Sequence, residues 1–490
     1  MTDLRRILAL GWMTVALAGA ASAQAQQPLS ASDWLSGSLK APPREASAWR
    51  PGDRRPPGLP GSGATLPVAK SGEVGRVHVT RLDGGNPDAA GTITARSAGL
   101  PMALWQGSDP AILSQLILTT PARLPAMKAL LDRLLTAQLS PPAGTGADAG
   151  VWRGQLFLAR ADRLLDMGAL EPAAALLLTA GPGDPEVFRR LFDIALLEGD
   201  EGRACAYMDS TPGIAPSFAA RIFCLAQSGD WAAAAISLRG AEALGLIDAH
   251  QTLLLTHFLD DTFVDSGELL TPSDMITPLE FRIHEAIGQP LPTQPLPLAF
   301  AQSDLRLNNG WKARLEAAER LARAGAIPAA ELRGIYAEQK PAASGGVWER
   351  AGAMRTLEAA IAAGEPLSAL PRAFDEFRAA GMADVLAAMV ADDLPPDAQG
   401  DAAPVATVLR GWQGFSDAAV KLDPVAEAQP PADRQGEALL HAMADVDAGL
   451  DGDQARAGRG LAMLRALGLT ADADLASTQL ALLPQMTGDP

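Results

Sequence analysis

Histidines and carboxylates are the residues with which this chain could bind a metal. Five histidines are scattered along it, and only His257 has acids at helical spacing, Asp260 and Asp261, three and four residues later. A zinc site needs three or four ligands, and no further candidates stand close by in the sequence. The pattern therefore favours a helix end with solvated acids, and the sequence predicts no metal site.

The segment Ser344-Gly345-Gly346 is where a bare backbone could approach a substrate or a phosphate. The G-x-x-x-x-G-K-[ST] spacing of a phosphate loop is absent, however. The tripeptide Gly346-Val347-Trp348 repeats Gly150-Val151-Trp152, and in both copies a glycine follows sixteen residues after the tryptophan. The segment is therefore predicted to open a helical hairpin, with Ser344 as the N-cap and Trp348 packing the first helix on its neighbour.

Motifs for other chemistries are missing from the sequence. It contains neither a G-x-S-x-G elbow nor an H-E-x-x-H helix. The paired carboxylates Asp392 and Asp393 lie in DDLPPD, which is typical of a helix end and turn rather than of an acid/base pair. We expect no catalytic residue, no bound cofactor and no enzymatic activity.

The two cysteines, Cys205 and Cys224, are predicted to form a disulfide. Their midpoint falls in the turn STPGIAP at 210–216, so they occupy mirrored positions on antiparallel helices. An oxidising compartment would allow the bond to form. Two buried free thiols are the alternative.

A repeat of about thirty residues organises the first half of the helical region. Phenylalanine recurs at Phe157, Phe188 and Phe218, and a glycine follows eleven residues after each of them; these predicted turn residues are Gly168, Gly199 and Gly229. An alanine stands five residues after each glycine. The pattern predicts helix–turn–helix units in which the aromatic packs, the glycine turns the chain and the alanine allows close approach.

The segments Gly199-Asp200 to Ala204 and Gly229-Asp230 to Ala234 resemble the turn of a tetratricopeptide repeat. The units are a few residues shorter than that family's 34, and Phe192 and Ile222 replace the small residue of its first helix. The resemblance implies an all-α, tetratricopeptide-like solenoid of helical hairpins and implies no particular activity. The overall layout is also similar to an uncharacterised exported family of Gram-negative bacteria.

The N-terminus has the three zones of a secretory signal peptide. Arg5 and Arg6 precede an apolar stretch too short to span a membrane, and Ala21-Ser22-Ala23 supplies a cleavage site. Residues 1–23 are therefore predicted to be removed after Ala23, with a second possible cut after Ala25. We expect export to the periplasm and no membrane-spanning segment, because no later apolar run is long enough.

Composition divides the remaining chain into five parts. Residues 24–70 form a basic, Pro/Gly-rich arm predicted to be disordered. The arm carries a possible docking motif at Trp34, Leu35 and Leu39, and one turn of helix with an exposed tryptophan is the alternative. Residues 71–100 could contain a small β-hairpin. Two helical-repeat blocks, 101–260 and 301–490, are predicted on either side of a Pro-rich connection at 261–300.

The charge is −17 overall, with +3 on residues 24–70 and −21 on residues 71–490. An acidic body argues against a nucleic-acid partner, because phosphate neutralisation needs basic patches. We expect a periplasmic scaffold that binds a peptide or protein. The alternative is a cell-envelope enzyme or enzyme accessory of peptidoglycan metabolism, because the Ala-rich helices also resemble soluble lytic transglycosylases; no catalytic module like theirs follows the repeats.

Overall fold

Almost every regular element of the chain is a helix. The structure, a computed structural model, describes residues 34–35, 86–142, 154–260, 269–415 and 428–488, and in these residues the fold is all-α. The signal peptide with Ala23, and Leu39 of the docking motif, lie outside the described residues.

The described α-helices are α1 Ala95–Ala98, α2 Pro110–Thr119, α3 Pro125–Thr136, α4 Gln155–Asp166, α5 Leu170–Ala180, α6 Pro185–Glu198, α7 Glu201–Ser210, α8 Phe218–Gln227, α9 Trp231–Ala243, α10 Ala249–Leu259, α11 Pro278–Ala286, α12 Ala301–Asp304, α13 Trp311–Ala324, α14 Ala329–Glu338, α15 Val347–Ala362, α16 Leu370–Ala379, α17 Ala383–Val390, α18 Ala403–Trp412, α19 Gln435–Asp447, α20 Gln454–Ala466 and α21 Thr470–Thr487. Short 3-10 turns occur at Pro87–Ala89, Leu298–Phe300, Pro366–Ser368, Ala391–Asp393 and Ala448–Asp451.

Local sequence sets the helix ends, as α6 illustrates. Asp184 accepts hydrogen bonds from the backbone N–H groups of Glu186 and Val187, at 2.8 and 3.2 Å, and Pro185 occupies the first turn. Gly199 ends the helix in the left-handed conformation, at φ 79°. The three glycines of the predicted turns all have positive φ, and each lies in a short connection between two consecutive helices that contact each other, α4 and α5, α6 and α7, and α8 and α9.

The two short strands do not form a hairpin with each other. Ile93–Thr94 pairs in parallel with Ala137–Gln138, more than forty residues away, and the predicted partner strand around residues 74–82 lies outside the described residues. Fully buried Arg160 holds this region, because its guanidinium donates to the carbonyl oxygens of Leu135, Ala137 and Ala90 at 2.7–2.8 Å.

The proline-rich connection contains a helix, α11, that packs into the body. Thr277 accepts a hydrogen bond from the N–H of Glu280, and Pro278 stands in the first turn, where a proline costs no helical hydrogen bond. This proline therefore starts a helix, where the composition of 261–300 had indicated a linker. Phe281 and Ile283 of α11 are buried.

Two cores divide the helices differently from the predicted blocks. One core is formed by α6 to α11 and includes Phe192, Phe223 and Ile283. The other joins α2–α5 to α12–α21. Helices α6 and α11 contribute residues to both cores, so they are buried between them. The second block therefore packs back onto the first.

Candidate functional site

An open groove with a mostly apolar lining lies between α5, α6 and α7. Its volume is about 270 Å³, and its floor is formed by Phe188, Leu191 and Ile194 of α6. Leu178 of α5 stands on one wall with 56% of its surface exposed. Tyr207 of α7 also lines the groove, and its ring centre lies 5.4 Å from that of Phe188. The groove can bury apolar side chains of a ligand.

Three charged side chains line this groove: the acids Glu198 and Asp200 and the base Arg203. Partial desolvation at the groove edge, followed by the nearby charges of Asp200 and Glu171, raises the pKa of Glu198 although its side chain is exposed. Glu171 acts in the same way on Glu331 of α14, whose pKa is raised mainly by desolvation. Arg203 pairs with Asp200 at 3.1 Å, and both side chains are exposed. Two acids and one base give the rim a net negative charge, which favours a cationic ligand.

The disulfide holds the wall of the groove that α7 forms. Cys205 on α7 and Cys224 on α8 are bonded, with their Cα atoms 5.1 Å apart. Of the ten residues of α7, only Glu201, Cys205 and Met208 are buried. Contacts that attach α7 to its neighbours include the disulfide, the ion pair of Glu201 with Arg282 at 2.8 Å, and the packing of Tyr207 on Phe188.

Trp34 and Leu35, two residues of the predicted docking motif, lie within the body. Their exposed fractions are 1% and 3%. The ring of Trp34 meets Phe300 edge-on, with 5.5 Å between the ring centres. These two residues, which the sequence analysis assigns to a basic arm, are thus part of the larger hydrophobic core.

The segment Ser344-Gly345-Gly346 lies in the connection that leads into α15. Helix α15 begins at Val347, and its N-cap is Gly346, which has φ 55° and makes no side-chain cap bond, so Ser344 is not the N-cap. The positive φ of Gly346 turns the chain into the helix, and no serine side chain caps the first backbone N–H groups. Trp348 packs on Trp311 of α13, with 5.2 Å between ring centres. Of the earlier copy, Gly150-Val151-Trp152 lies outside the described residues.

A serine, a glutamate and two histidines meet beside α11. The Nε2 atom of His250 lies 3.0 Å from Glu280, which also accepts a hydrogen bond from the backbone N–H of Ser273 at 2.7 Å. The Ser273 hydroxyl donates to the same carboxylate. In a Ser–His–Asp triad the serine hydroxyl donates to the imidazole, whereas here the Ser273 hydroxyl donates to the carboxylate of Glu280. The cluster does not form a triad.

His284 completes this cluster from inside the core. It is fully buried, lies 4.0 Å from Glu280, and neither ring nitrogen has a hydrogen-bond partner in the described part of the chain. Burial lowers the pKa of His284, Glu280 opposes that shift, and His250 adds to it. The ring is therefore held neutral.

Charged groups with shifted pKa values also meet where α3 contacts α13 and α17. The ammonium of Lys128 donates to the carbonyl oxygen of Arg323 at 2.6 Å, and burial lowers its pKa. Burial raises the pKa of Asp132 to about 6 and raises that of Asp384, with Lys128 opposing both shifts. Asp384 lines a cavity of about 240 Å³ together with Trp412. The sequence did not indicate this cluster, because its members are single residues far apart in the chain.

The remaining predicted candidates have structural surroundings. The Nδ1–H of His257 donates to the carbonyl oxygen of Leu253 at 2.9 Å, within its own helix, and Asp261 lies outside the described residues. Asp393 pairs with Arg333 at 2.7 Å. Within the described ranges, no three His, Cys, Asp or Glu side chains are grouped as a metal would require. None of the helices described has the length and apolar character needed to cross a membrane.

The groove residues were not singled out from the sequence. The repeat pattern predicts that Phe188 packs the first helix of the second repeat. Leu178 and Tyr207 belong to no motif, because periodicity does not distinguish groove residues from core residues. Comparison with protein-family models, with curated proteins and with solved structures finds no match to this chain.

Proposed function

We propose that this protein is an exported periplasmic scaffold that binds a peptide or a segment of a partner protein and catalyses no reaction. The observation that carries the proposal is the groove between α5, α6 and α7, with its apolar floor and exposed Leu178. Surfaces of this kind bind apolar anchor residues of a ligand. The acidic rim selects ligands in which basic residues flank the anchor, because opposite charges favour encounter and orientation.

A tetratricopeptide-like solenoid is part of the proposal. The hairpins α4–α5, α6–α7 and α8–α9 follow one another, and each contacts the next. Stacked hairpins create extended surfaces that bind peptides. The groove lies across the first two of these hairpins.

The experiment uses the purified mature chain and fluorescent ten-residue peptides that carry leucine and phenylalanine anchors, flanked either by arginine or by glutamate. We expect the arginine peptides to bind with a Kd of about 1–100 µM in fluorescence polarisation. Leu178→Asp weakens this binding at least about tenfold. Ile236→Asp is the matched control, because Ile236 is exposed on α9, away from the groove.

Salt and charge give a second readout. Glu198→Gln is expected to lower the affinity for the arginine peptides, because it removes a negative charge from the rim. The affinity that remains should also depend less on the salt concentration. Equal binding of the two peptide sets, or an unchanged Kd in Leu178→Asp, contradicts the proposal.

Export has its own test. The mature chain is expected to begin at Gln24 or Gln26 and to fractionate with the soluble periplasm, which N-terminal sequencing of the protein from fractionated cells measures. An intact Met1 in the purified protein contradicts export with cleavage.

An enzyme of the cell envelope is the second candidate, and the Asp132–Lys128–Asp384 cluster is the observation that favours it. A carboxyl group whose pKa is raised toward neutrality, as that of Asp132 is to about 6, can serve as a general acid or base. Release of soluble fragments from purified peptidoglycan, lost in Asp132→Asn and in Asp384→Asn, would favour this candidate over the scaffold.

A further inference from the structure

Trp34 and Leu35 contact a part of the body far along the chain. Residues 36–85 separate them from the next described residue, and the ring that Trp34 meets belongs to Phe300. Both side chains are buried to the degree of core residues. Trp34 and Leu35 are therefore packed against a part of the body that lies far along the chain.

Phe300 stands where three parts of the fold meet. It ends the 3-10 turn Leu298–Phe300, directly before α12. Phe281 of α11 contacts it edge-on, with ring centres 5.3 Å apart. Helix α12 is fixed to the first repeats, because Ser303 donates to the carbonyl oxygen of Leu197 at 2.8 Å and Gln302 donates to that of Gly168 at 2.7 Å. The surface that receives Trp34 is thus positioned by contacts that do not involve Trp34.

The contact of Trp34 with its surroundings is apolar and incomplete. Its indole Nε1–H is buried and has no hydrogen-bond partner among the described residues. A buried donor without a partner lowers the net stability of the contact. Recognition therefore rests on the shape of the ring and of the neighbouring leucine.

We infer that the surface around Phe300 is a binding site for segments with tryptophan followed by leucine, and that Trp34–Leu35 occupies it in cis as an exchangeable ligand. Covalent attachment favours the cis segment, because it raises the effective concentration of the motif. A segment of the same chemistry from another protein competes for the site. The site is separate from the groove between α5, α6 and α7, so it does not rest on the proposed function.

The test uses the full mature chain carrying Trp34→Ala and Leu35→Ala, with a labelled synthetic peptide ASDWLSGSL, the sequence of residues 31–39. We expect the variant to bind the peptide at least about tenfold more tightly than the wild-type chain does, because its site is vacant. Peptides with alanine in place of the tryptophan or the leucine do not bind. Adding Phe300→Ala to the variant abolishes binding.

A matched control replaces Trp231 and Leu253, which are 50% and 47% exposed, by alanine in the full chain; this variant gains no peptide binding. Absence of binding to a folded Trp34→Ala/Leu35→Ala variant overturns the inference. If that variant is unfolded by circular dichroism, refolding is repeated with an excess of the peptide. Recovery of the helical signal supports an exchangeable ligand, and failure to recover overturns it, since Trp34 is then an integral core residue.

Discussion

Asp447 caps a helix whose first residues precede it by more than 320 positions. Its carboxylate accepts a hydrogen bond from the backbone N–H of Arg123 at 2.8 Å and another from Leu124 at 3.0 Å, while the guanidinium of Arg123 lies 3.2 Å from the same group. Asp447 is fully buried, and Leu124, the N-cap of α3, makes no side-chain cap bond of its own. Helix α3 thus obtains its cap from α19.

Asp447→Ala is therefore expected to destabilise the protein by about 2–4 kcal/mol, because it leaves two backbone donors without a partner. Urea unfolding followed by circular dichroism measures the change. Asp445→Ala is the control, because Asp445 pairs with Arg456 at the surface; we expect it to cost less than about 1 kcal/mol. Equal losses in the two variants contradict the capping role.

The Cys205–Cys224 bond gives a second prediction. It closes a loop with a sequence separation of 19, for which chain entropy predicts about 3 kcal/mol of stabilisation. Mass spectrometry of the non-reduced, alkylated protein is expected to find no modified cysteine. Cys205→Ala/Cys224→Ala should unfold at lower urea and bind the arginine peptides more weakly, because α7 loses its attachment to α8. Two alkylated thiols in the native protein contradict the bond.

His284 predicts a dependence of stability on pH. Its folded-state pKa lies below the ordinary 6.5, so the unfolded chain binds a proton first as the pH falls. The contribution of a neutral, buried His284 is fully present above about pH 6.5 and is lost as the pH falls toward the folded-state pKa. His284→Leu removes this loss, so the free energy of unfolding should decrease less between pH 7.5 and 5.5 than it does in the wild type.

Urea titrations at the two pH values measure that difference. His441→Gln is the comparison variant, because His441 is exposed on α19 whereas His284 is buried. If His284→Leu keeps the wild-type slope, the pH dependence arises elsewhere.

Replacing two helical glycines by alanine is expected to change the stability of the protein in opposite directions. A Cβ atom at Gly460 in α20 would lie 2.6 Å from the carbonyl oxygen of Ala442 on α19, whereas a Cβ at Gly240 in α9 would meet nothing within 4 Å. Gly460→Ala should cost about 1–3 kcal/mol through overpacking. Gly240→Ala should stabilise by about 0.5–1 kcal/mol, because it reduces the freedom of the unfolded chain. Thermal unfolding compares the two, and a stabilising Gly460→Ala would contradict close approach of α19 and α20.

Local signals predicted much of the helical framework. Gly199, a predicted turn residue, ends α6 in the left-handed conformation, because turning is decided within a few residues. Asp184-Pro185 begins α6 by the same kind of local signal, although the sequence analysis did not use it. The proline content of 261–300 misled, because a proline after Thr277 begins a helix as readily as it breaks one.

The candidate sites depend on contacts that no local pattern contains. The edge-on meeting of Trp34 with Phe300 and the groove wall at Tyr207 arise only when separate helices come together. The two cysteines were easier to assign, because their spacing about one turn region limits where antiparallel helices can place them.

The packing of α3 against α19 and α21 also determines the order in which folding can finish. Besides the contacts to Asp447, the backbone N–H of Ala126 donates to the side chain of Gln479 at 2.9 Å. Helix α3 is synthesised hundreds of residues before α19 and α21. Its apolar face and its first backbone N–H groups therefore have no partners until those helices have been made. Contacts of such sequence separation slow folding, and a partly made chain exposes surface on which chaperones can act. Folding of the larger core therefore finishes with the last helices to be synthesised, after the smaller core of α6–α11 has all of its residues.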